Sequence, residues 1–277
     1  MSDRLAGKNV IVSGAATGIG QGIAIEAARE GARVGVLYRE RSAEATLAAI
    51  KAIGGAAFPC RVDVAEEEQV VRLYQELDQR FGPIDGLVNN AAAFARTPVI
   101  EVTCEEWERL FRTNVKGYML MAREAAKRMM RQGSGKMVNV SSTAALSCVP
   151  NYSTYGATKA AIINHTMSLA TELAPHGIQA NCLIVGHTET DTHDPGEEFI
   201  LDDLYRRIPM GRRATCREIG RVTVFLLSED SNYINGAQIV MDGGLLSYQG
   251  PTGWAAHNTI WGNSKRAAHR NQPPGGR

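Results

Sequence analysis

Tyr155 and Lys159 stand four residues apart in Ser153–Leu173, a stretch that reads as a helix, so both side chains fall on one face. Tyrosine ordinarily titrates near pH ~10. A neighbouring ammonium favours the phenolate, so Lys159 is expected to bring the Tyr155 hydroxyl into a range where it exchanges a proton with a substrate oxygen. Tyr-x-x-x-Lys also occurs by chance on many surface helices. Ser142 strengthens it, because it follows the strand expected over Lys136–Val140, at the edge where open α/β sheets bind ligands.

A second constellation lies near the N-terminus. Ser13-Gly14-Ala15-Ala16-Thr17-Gly18-Ile19-Gly20 falls between an apolar run, Lys8–Ser13, and a helical pattern that begins at Ile19. Backbone N–H groups at a helix start attract phosphate, and glycines let the ligand approach. The spacing G-x-x-x-G-x-G differs from the common G-x-G-x-x-G, and a tight strand–helix turn is the plainer alternative. The next strand, Arg33–Tyr38, ends in Tyr38-Arg39, where NAD-binding folds carry a carboxylate for the ribose. Arg39 and Arg41 would instead attract a ribose 2′-phosphate, which favours NADP while leaving NAD possible.

These residues need a frame. Strand-like runs at Ala57–Val62, Asp85–Asn89, Ile178–Ile184 and Ala237–Met241 alternate with helical patterns. Ser42 is expected to cap a helix running to Ile53, and another covers Ala65–Phe81. Thr103 with Glu106, and Thr215 with Glu218, have the spacing of capping boxes; the helix from Thr103 is expected to continue to about Met130. This predicts one α/β domain, a doubly wound parallel sheet of about seven strands with helices on both faces. The domain is expected over residues 1–248, with a polar lid near 187–210 and a C-terminal extension over 249–277.

Composition agrees with that class. The 277 residues carry 30 basic and 29 acidic side chains, which excludes the positive field of a nucleic-acid binder. No apolar run is long enough to span a bilayer, and no signal peptide is visible. A soluble, cytoplasmic protein is expected. The five cysteines form no CxxC pair, and His187, Asp191, His193 and Asp194 meet no known ligand spacing, so no metal is expected. Arg128, Arg131 and Lys136 read as a solvated basic face; Met119, Met121, Met129 and Met130 read as packing or subunit contact.

Ser13–Gly20, Asn89-Asn90-Ala91, Asn114, Ser142, Tyr155-x-x-x-Lys159 and Asp242-Gly243-Gly244, in this order, resemble the short-chain dehydrogenase/reductase family over about residues 5–248. Within the family, the sequence resembles the subgroup of 3-oxoacyl reductases and bacterial glucose-type dehydrogenases. The resemblance implies a Rossmann-type fold and hydride transfer between a nicotinamide cofactor and a carbonyl or alcohol. It implies that Tyr155 is the acid/base, that Lys159 lowers its pKa and holds the nicotinamide ribose, and that Ser142 holds the substrate oxygen. Asn114 would shape the long helix and hold a water in the proton relay.

By the same resemblance, the cofactor would meet Gly14, Thr17, Gly18, Ile19, Gly20, Tyr38, Arg39, Asp63, Val64, Asn90, Gly186, Thr188 and Thr190. Phe94, Cys148 and His187 would join Ser142 and Tyr155 at the substrate. A homotetramer is implied. Three departures stand out: Val185-Gly186 replaces the family's Pro-Gly, Ala92 replaces a glycine, and the tail runs past the usual end.

The apolar stretch Thr143–Val149 favours a ketone or secondary alcohol, whereas the glucose-like features favour a sugar or polyol. A non-enzymatic NADP sensor would have no need for serine, tyrosine and lysine at catalytic spacing. Trp254 and Trp261 are expected to dock on the protomer or a neighbour.

Overall fold

The computed structural model describes residues 3–190 and 207–247. Seven strands form one parallel sheet in the order β3-β2-β1-β4-β5-β6-β9. They are β1 Asn9–Val12, β2 Arg33–Tyr38, β3 Ala56–Arg61, β4 Gly86–Asn89, β5 Gly135–Ser142, β6 Ile178–Val185 and β9 Gln238–Met241. The expected doubly wound sheet is therefore present. Its central strands are buried along nearly their whole length, because helices cover both faces. A separate two-stranded ladder pairs β7 Thr188–Glu189 with β8 Ala214–Thr215.

One face carries α1 Gly18–Arg29, α2 Glu44–Ala52 and α7 Cys216–Leu227, which close over a core including Val12, Ile23, Val34, Val138, Leu183 and Val224. The other carries α3 Glu67–Arg80, α5 Gly117–Gln132 and α6 Ser153–Leu173, around Ile11, Leu77, Leu87, Met121, Met129 and Ala180. From β1 the chain winds outward to β3, then returns to place β4 on the other side of β1. That reversal opens a crevice at the strands' C-terminal ends, the point at which open α/β sheets bind ligands.

The local signals are met unequally. Thr215 and Glu218 make both bonds of the capping box at α7. At α4, Cys104–Phe111, Thr103 accepts from the Glu106 N–H, but the Glu106 carboxylate accepts from the Thr97 hydroxyl at 2.7 Å instead of closing the box. Ser42 accepts from the Glu44 N–H at 3.2 Å, one residue ahead of Ala43, which occupies the cap position of α2.

Two expectations are corrected. The helix expected from Thr103 to Met130 is interrupted by a π turn at Arg112–Lys116. Nor do the basic side chains form one solvated face. Arg128 is largely covered, bonded to Asp78 at 2.6 Å and lying over the Tyr74 ring, while Lys136 bonds to Ser231. Met121 and Met129 are fully buried, as packing requires, and Met130 is exposed. Most of the expected lid, with Asp191, His193 and Asp194, and the tail with Trp254 and Trp261 lie outside the described residues.

Candidate active site

The glycine turn is fastened from three sides. Ser13 Oγ donates to Val88 O at 3.3 Å and accepts the N–H groups of Asn90 and Ala91. The Asn90 amide donates back to Ser13 O at 3.0 Å and Gly14 O at 3.2 Å. Thr46 of α2 donates to the Ala15 carbonyl at 2.9 Å. Gly14 has φ +63, and a Cβ there would lie 2.8 Å from Ala91 Cα. A Cβ on Gly20 would meet the Gly14 carbonyl oxygen and lie 2.5 Å from the Asn90 amide nitrogen. No side chain caps α1: Thr17 occupies the cap position without a cap bond, and Ile19 packs towards the core. A helix start open in this way suits a phosphate. Thr190 comes from beyond β6 to lie against Gly18.

At the tips of β2 and β3, Arg39 bonds to Asp63 at 3.4 Å and Glu40 at 3.0 Å, with about half its side chain exposed. Asp63 also accepts the Ala65 N–H at 2.9 Å. Tyr38 packs partly against the core, and Val64 is buried beside Gly117. The groups expected around the adenosine end thus share one corner, which fits a nucleotide laid across the crevice from the glycine turn. When bound, the dinucleotide supplies or accepts a hydride.

Ser142 ends β5, and its hydroxyl accepts the Ala144 N–H at 3.2 Å. Tyr155 stands on the first turns of α6 with Phe94 edge-on at 5.1 Å and Tyr152 at 6.1 Å between ring centroids. Lys159 is only 2% exposed, and its Nζ lies 5.6 Å from the Tyr155 ring centroid. The pair therefore shares a helix face, as the spacing implies.

The expected electrostatics are reversed. Burial pushes the Tyr155 phenol up to about 12, with the Ser142 hydroxyl pulling it down and Tyr152 adding to the rise. Lys159 is not what governs it; the ammonium donates to Val140 O at 2.9 Å. Burial brings Lys159 itself down to about 8, slightly opposed by the nearby Cys182 thiol. Desolvation outweighs the charge effect in both residues.

Asn114 lies inside the π turn, fully buried. Its Oδ1 accepts the Ala93 N–H at 2.7 Å, and its amide donates to Ala93 O at 2.9 Å and Thr158 Oγ1 at 3.0 Å. These bonds tie the long helix to the segment after β4 and to α6. Thr158 in turn donates to the Tyr155 carbonyl at 2.7 Å.

The remaining substrate candidates separate. Phe94 is against Tyr155, half exposed, whereas Cys148 is exposed on the segment between β5 and α6. His187 lines a different cavity, of about 340 Å³, with Met210, Arg212 and Asp242; Ser142, Tyr155 and Lys159 do not line it. Gly186 meets Asp242, whose Cα would lie 2.8 Å from an added Cβ, and Thr188 donates to Gly186 O at 3.2 Å. Tyr152, Tyr118 and Thr158 were not legible as site residues. The only trace of each was spacing: Tyr118 four after Asn114, and Tyr152 and Thr158 three to either side of Tyr155. Among the described residues, no cluster of three or more metal-ligating side chains occurs, and no helix is long and apolar enough to cross a membrane.

The family model described as enoyl-(acyl carrier protein) reductase matches residues 14–246. A short-chain type dehydrogenase/reductase of Picea abies is 35% identical over 251 residues, covering 87% of this chain and 93% of the relative. A 3-oxoacyl-[acyl-carrier-protein] reductase of Staphylococcus aureus is 34% identical, covering 86% and 98%. Among solved structures, a gluconate 5-dehydrogenase from Burkholderia cenocepacia in complex with NADP and tartrate superposes with a TM-score of 0.84 at 34% identity, covering 89% and 98%. The chain belongs to the short-chain dehydrogenase/reductase family and is an NAD(P)-dependent oxidoreductase acting on CH–OH groups.

Proposed function

We propose that the protein interconverts a ketone or aldehyde with the corresponding alcohol and prefers NADP. The observation that carries this reading is the meeting of Ser142 from β5 with Tyr155 and Lys159 from α6, beside the crevice that the glycine turn opens. In the reductive direction Tyr155 gives its proton to the carbonyl oxygen. Ser142 holds that oxygen with a hydrogen bond that strengthens as negative charge develops. A phenol held near 12 is fully protonated at neutral pH, which suits it to donate. The Lys159 ammonium supports the phenolate left behind. The glycine turn would hold the pyrophosphate, and Arg39 the ribose 2′-phosphate.

Phe94, Leu146 and Val149, all exposed apolar side chains, support a substrate with apolar surface near the reacting carbon. The likeness to a gluconate 5-dehydrogenase supports a second reading, a sugar or polyol dehydrogenase using NAD or NADP. NADPH and NADH oxidation against ketones and oxidised sugars, with the alcohols tested in reverse, separates the two. Tyr155→Phe is expected to keep NADPH binding and lose nearly all turnover. Near-parental turnover in that variant removes the role given to Tyr155. A homotetramer is the assembly we infer, to be measured by light scattering.

A further inference from the structure

Lys159 is a buried cation whose hydrogen bond goes to a carbonyl rather than a carboxylate. The titratable groups facing it are Tyr155 on its own helix, Tyr118 on α5 and Cys182 on β6. Among the described residues no acidic side chain forms an ion pair with it. What replaces the missing counter-charge is visible on the α5 side. Tyr118 is 1% exposed, and its ring lies under the ammonium, with Nζ 5.4 Å from the centroid. Its hydroxyl donates to Val140 O at 3.1 Å, the same carbonyl that accepts from Lys159 Nζ at 2.9 Å.

We propose that Tyr118 is a positioning residue for Lys159, holding the ammonium charged and in place through its ring face and through the carbonyl they share. The proposal deepens the reading of Lys159 given above. An aromatic face attracts a cation most strongly where water is excluded, and this site is closed. The hydroxyl has a different part. A carbonyl oxygen has two lone pairs, and with Tyr118 occupying one, Val140 O is pinned where the other meets Nζ. The π turn just before Tyr118 matters here, because it sets the phase at which α5 presents this ring.

The test replaces Tyr118 with Phe and with Leu and titrates Lys159 directly by NMR of protein carrying 13C at the lysine ε-carbon, the signal being assigned by its loss in Lys159→Arg. Phe keeps the ring face and loses only the bond that pins Val140 O, so its Lys159 pKa is expected at or slightly below the parental value. Leu removes the face, and its value is expected about one unit below that of Phe, a tenfold shift in the protonation equilibrium. The alkaline limb of kcat/KM should move in parallel. Leu120→Ala, a cavity on the same helix, is expected to lower stability without moving the titration. If the Leu variant does not fold, Tyr118→Met supplies a longer side chain that still lacks a ring. Coincident Lys159 titrations in the Phe and the ring-less variants would overturn the proposal. The NMR result stands whether or not Lys159 serves catalysis. A shifted titration with an unmoved pH–rate limb would therefore keep Tyr118 as the determinant of charge and count against the catalytic reading.

Discussion

Replacing Lys159 with Met should make the protein more stable while removing its turnover. Met is unbranched and of similar length, so it can occupy the channel between α6 and β5 without overpacking. The parental lysine carries a penalty that the structure sizes. Burial brings its pKa from 10.5 to about 8, and each unit corresponds to about 1.4 kcal/mol. The folded state thus loses about 3 kcal/mol at neutral pH by keeping the charge. Met forfeits the bond to Val140 O, worth about 1 kcal/mol, which leaves a net gain of about 2 kcal/mol. For a chain of this size that raises Tm by roughly 5 °C.

The pH dependence gives the idea its sharper test. Between pH 8 and 10.5 the unfolded chain holds a proton on this lysine that the folded chain has released, so parental stability rises with pH across that window. Below it the penalty is constant; above it the penalty is gone. The Met variant lacks that slope. Its advantage should therefore be full at pH 7 and gone, or slightly reversed by the lost bond to Val140 O, at pH 10.5, when both proteins are unfolded in urea at matched pH. A Met variant less stable at pH 7, or one with the same margin at both pH values, would refute this account.

Other outcomes follow from contacts already described. Gly20→Ala should weaken NADPH binding at least tenfold, read by fluorescence titration, because its methyl collides with the Gly14 carbonyl and the Asn90 amide that shape the phosphate turn. Arg39→Ala should raise the NADPH dissociation constant about tenfold and leave that for NADH nearly unchanged; an equal loss for both would assign Arg39 to holding Asp63. The Glu218 carboxyl is held down to about 2, first by the hydrogen bond from Arg212 and then by the Thr215 N–H. Its contribution is full above pH 4.5 and fades as pH falls toward 2, so Glu218→Gln should cost on the order of 1 kcal/mol at pH 7 after solvent screening, with the gap closing in acid.

The alternation of strands and helices was legible because short stretches rich in apolar residues, bounded by turn residues, alternate with helical periodicity; the glycine turn lies at one such boundary, and the Tyr155–Lys159 pair is read from its spacing within a helix. The π turn was not. Arg112–Lys116 continues the helical pattern, and what opens it is Asn114 reaching partners 21 and 44 residues away, at Ala93 and Thr158. Likewise Tyr118 reads as an ordinary core aromatic until the fold brings Val140 and Lys159 to it. The direction of the Tyr155 shift was hidden for a related reason. Spacing along a helix reports which charge is near, but not how much water both groups have lost. Arg128 shows the same blindness at the surface, since Asp78, which draws it in, sits 50 residues away on α3.

The site's geometry is set more by backbone than by side chains. Lys159 and Tyr118 both bond to Val140 O, Asn114 bonds to Ala93 N and O, and Ser141 Oγ donates to Lys159 O at 2.8 Å. Several of these run to or from β5, which pairs with β6 over eight registered residues and with β4 on its other side. A strand anchored on both edges can hold a desolvated cation, because moving the ammonium would require moving a carbonyl locked between two neighbours. A single side-chain change at the crevice rim should then alter specificity with little effect on the reacting groups. A register change in β5, by contrast, would displace Ser142 and the support of Lys159 together.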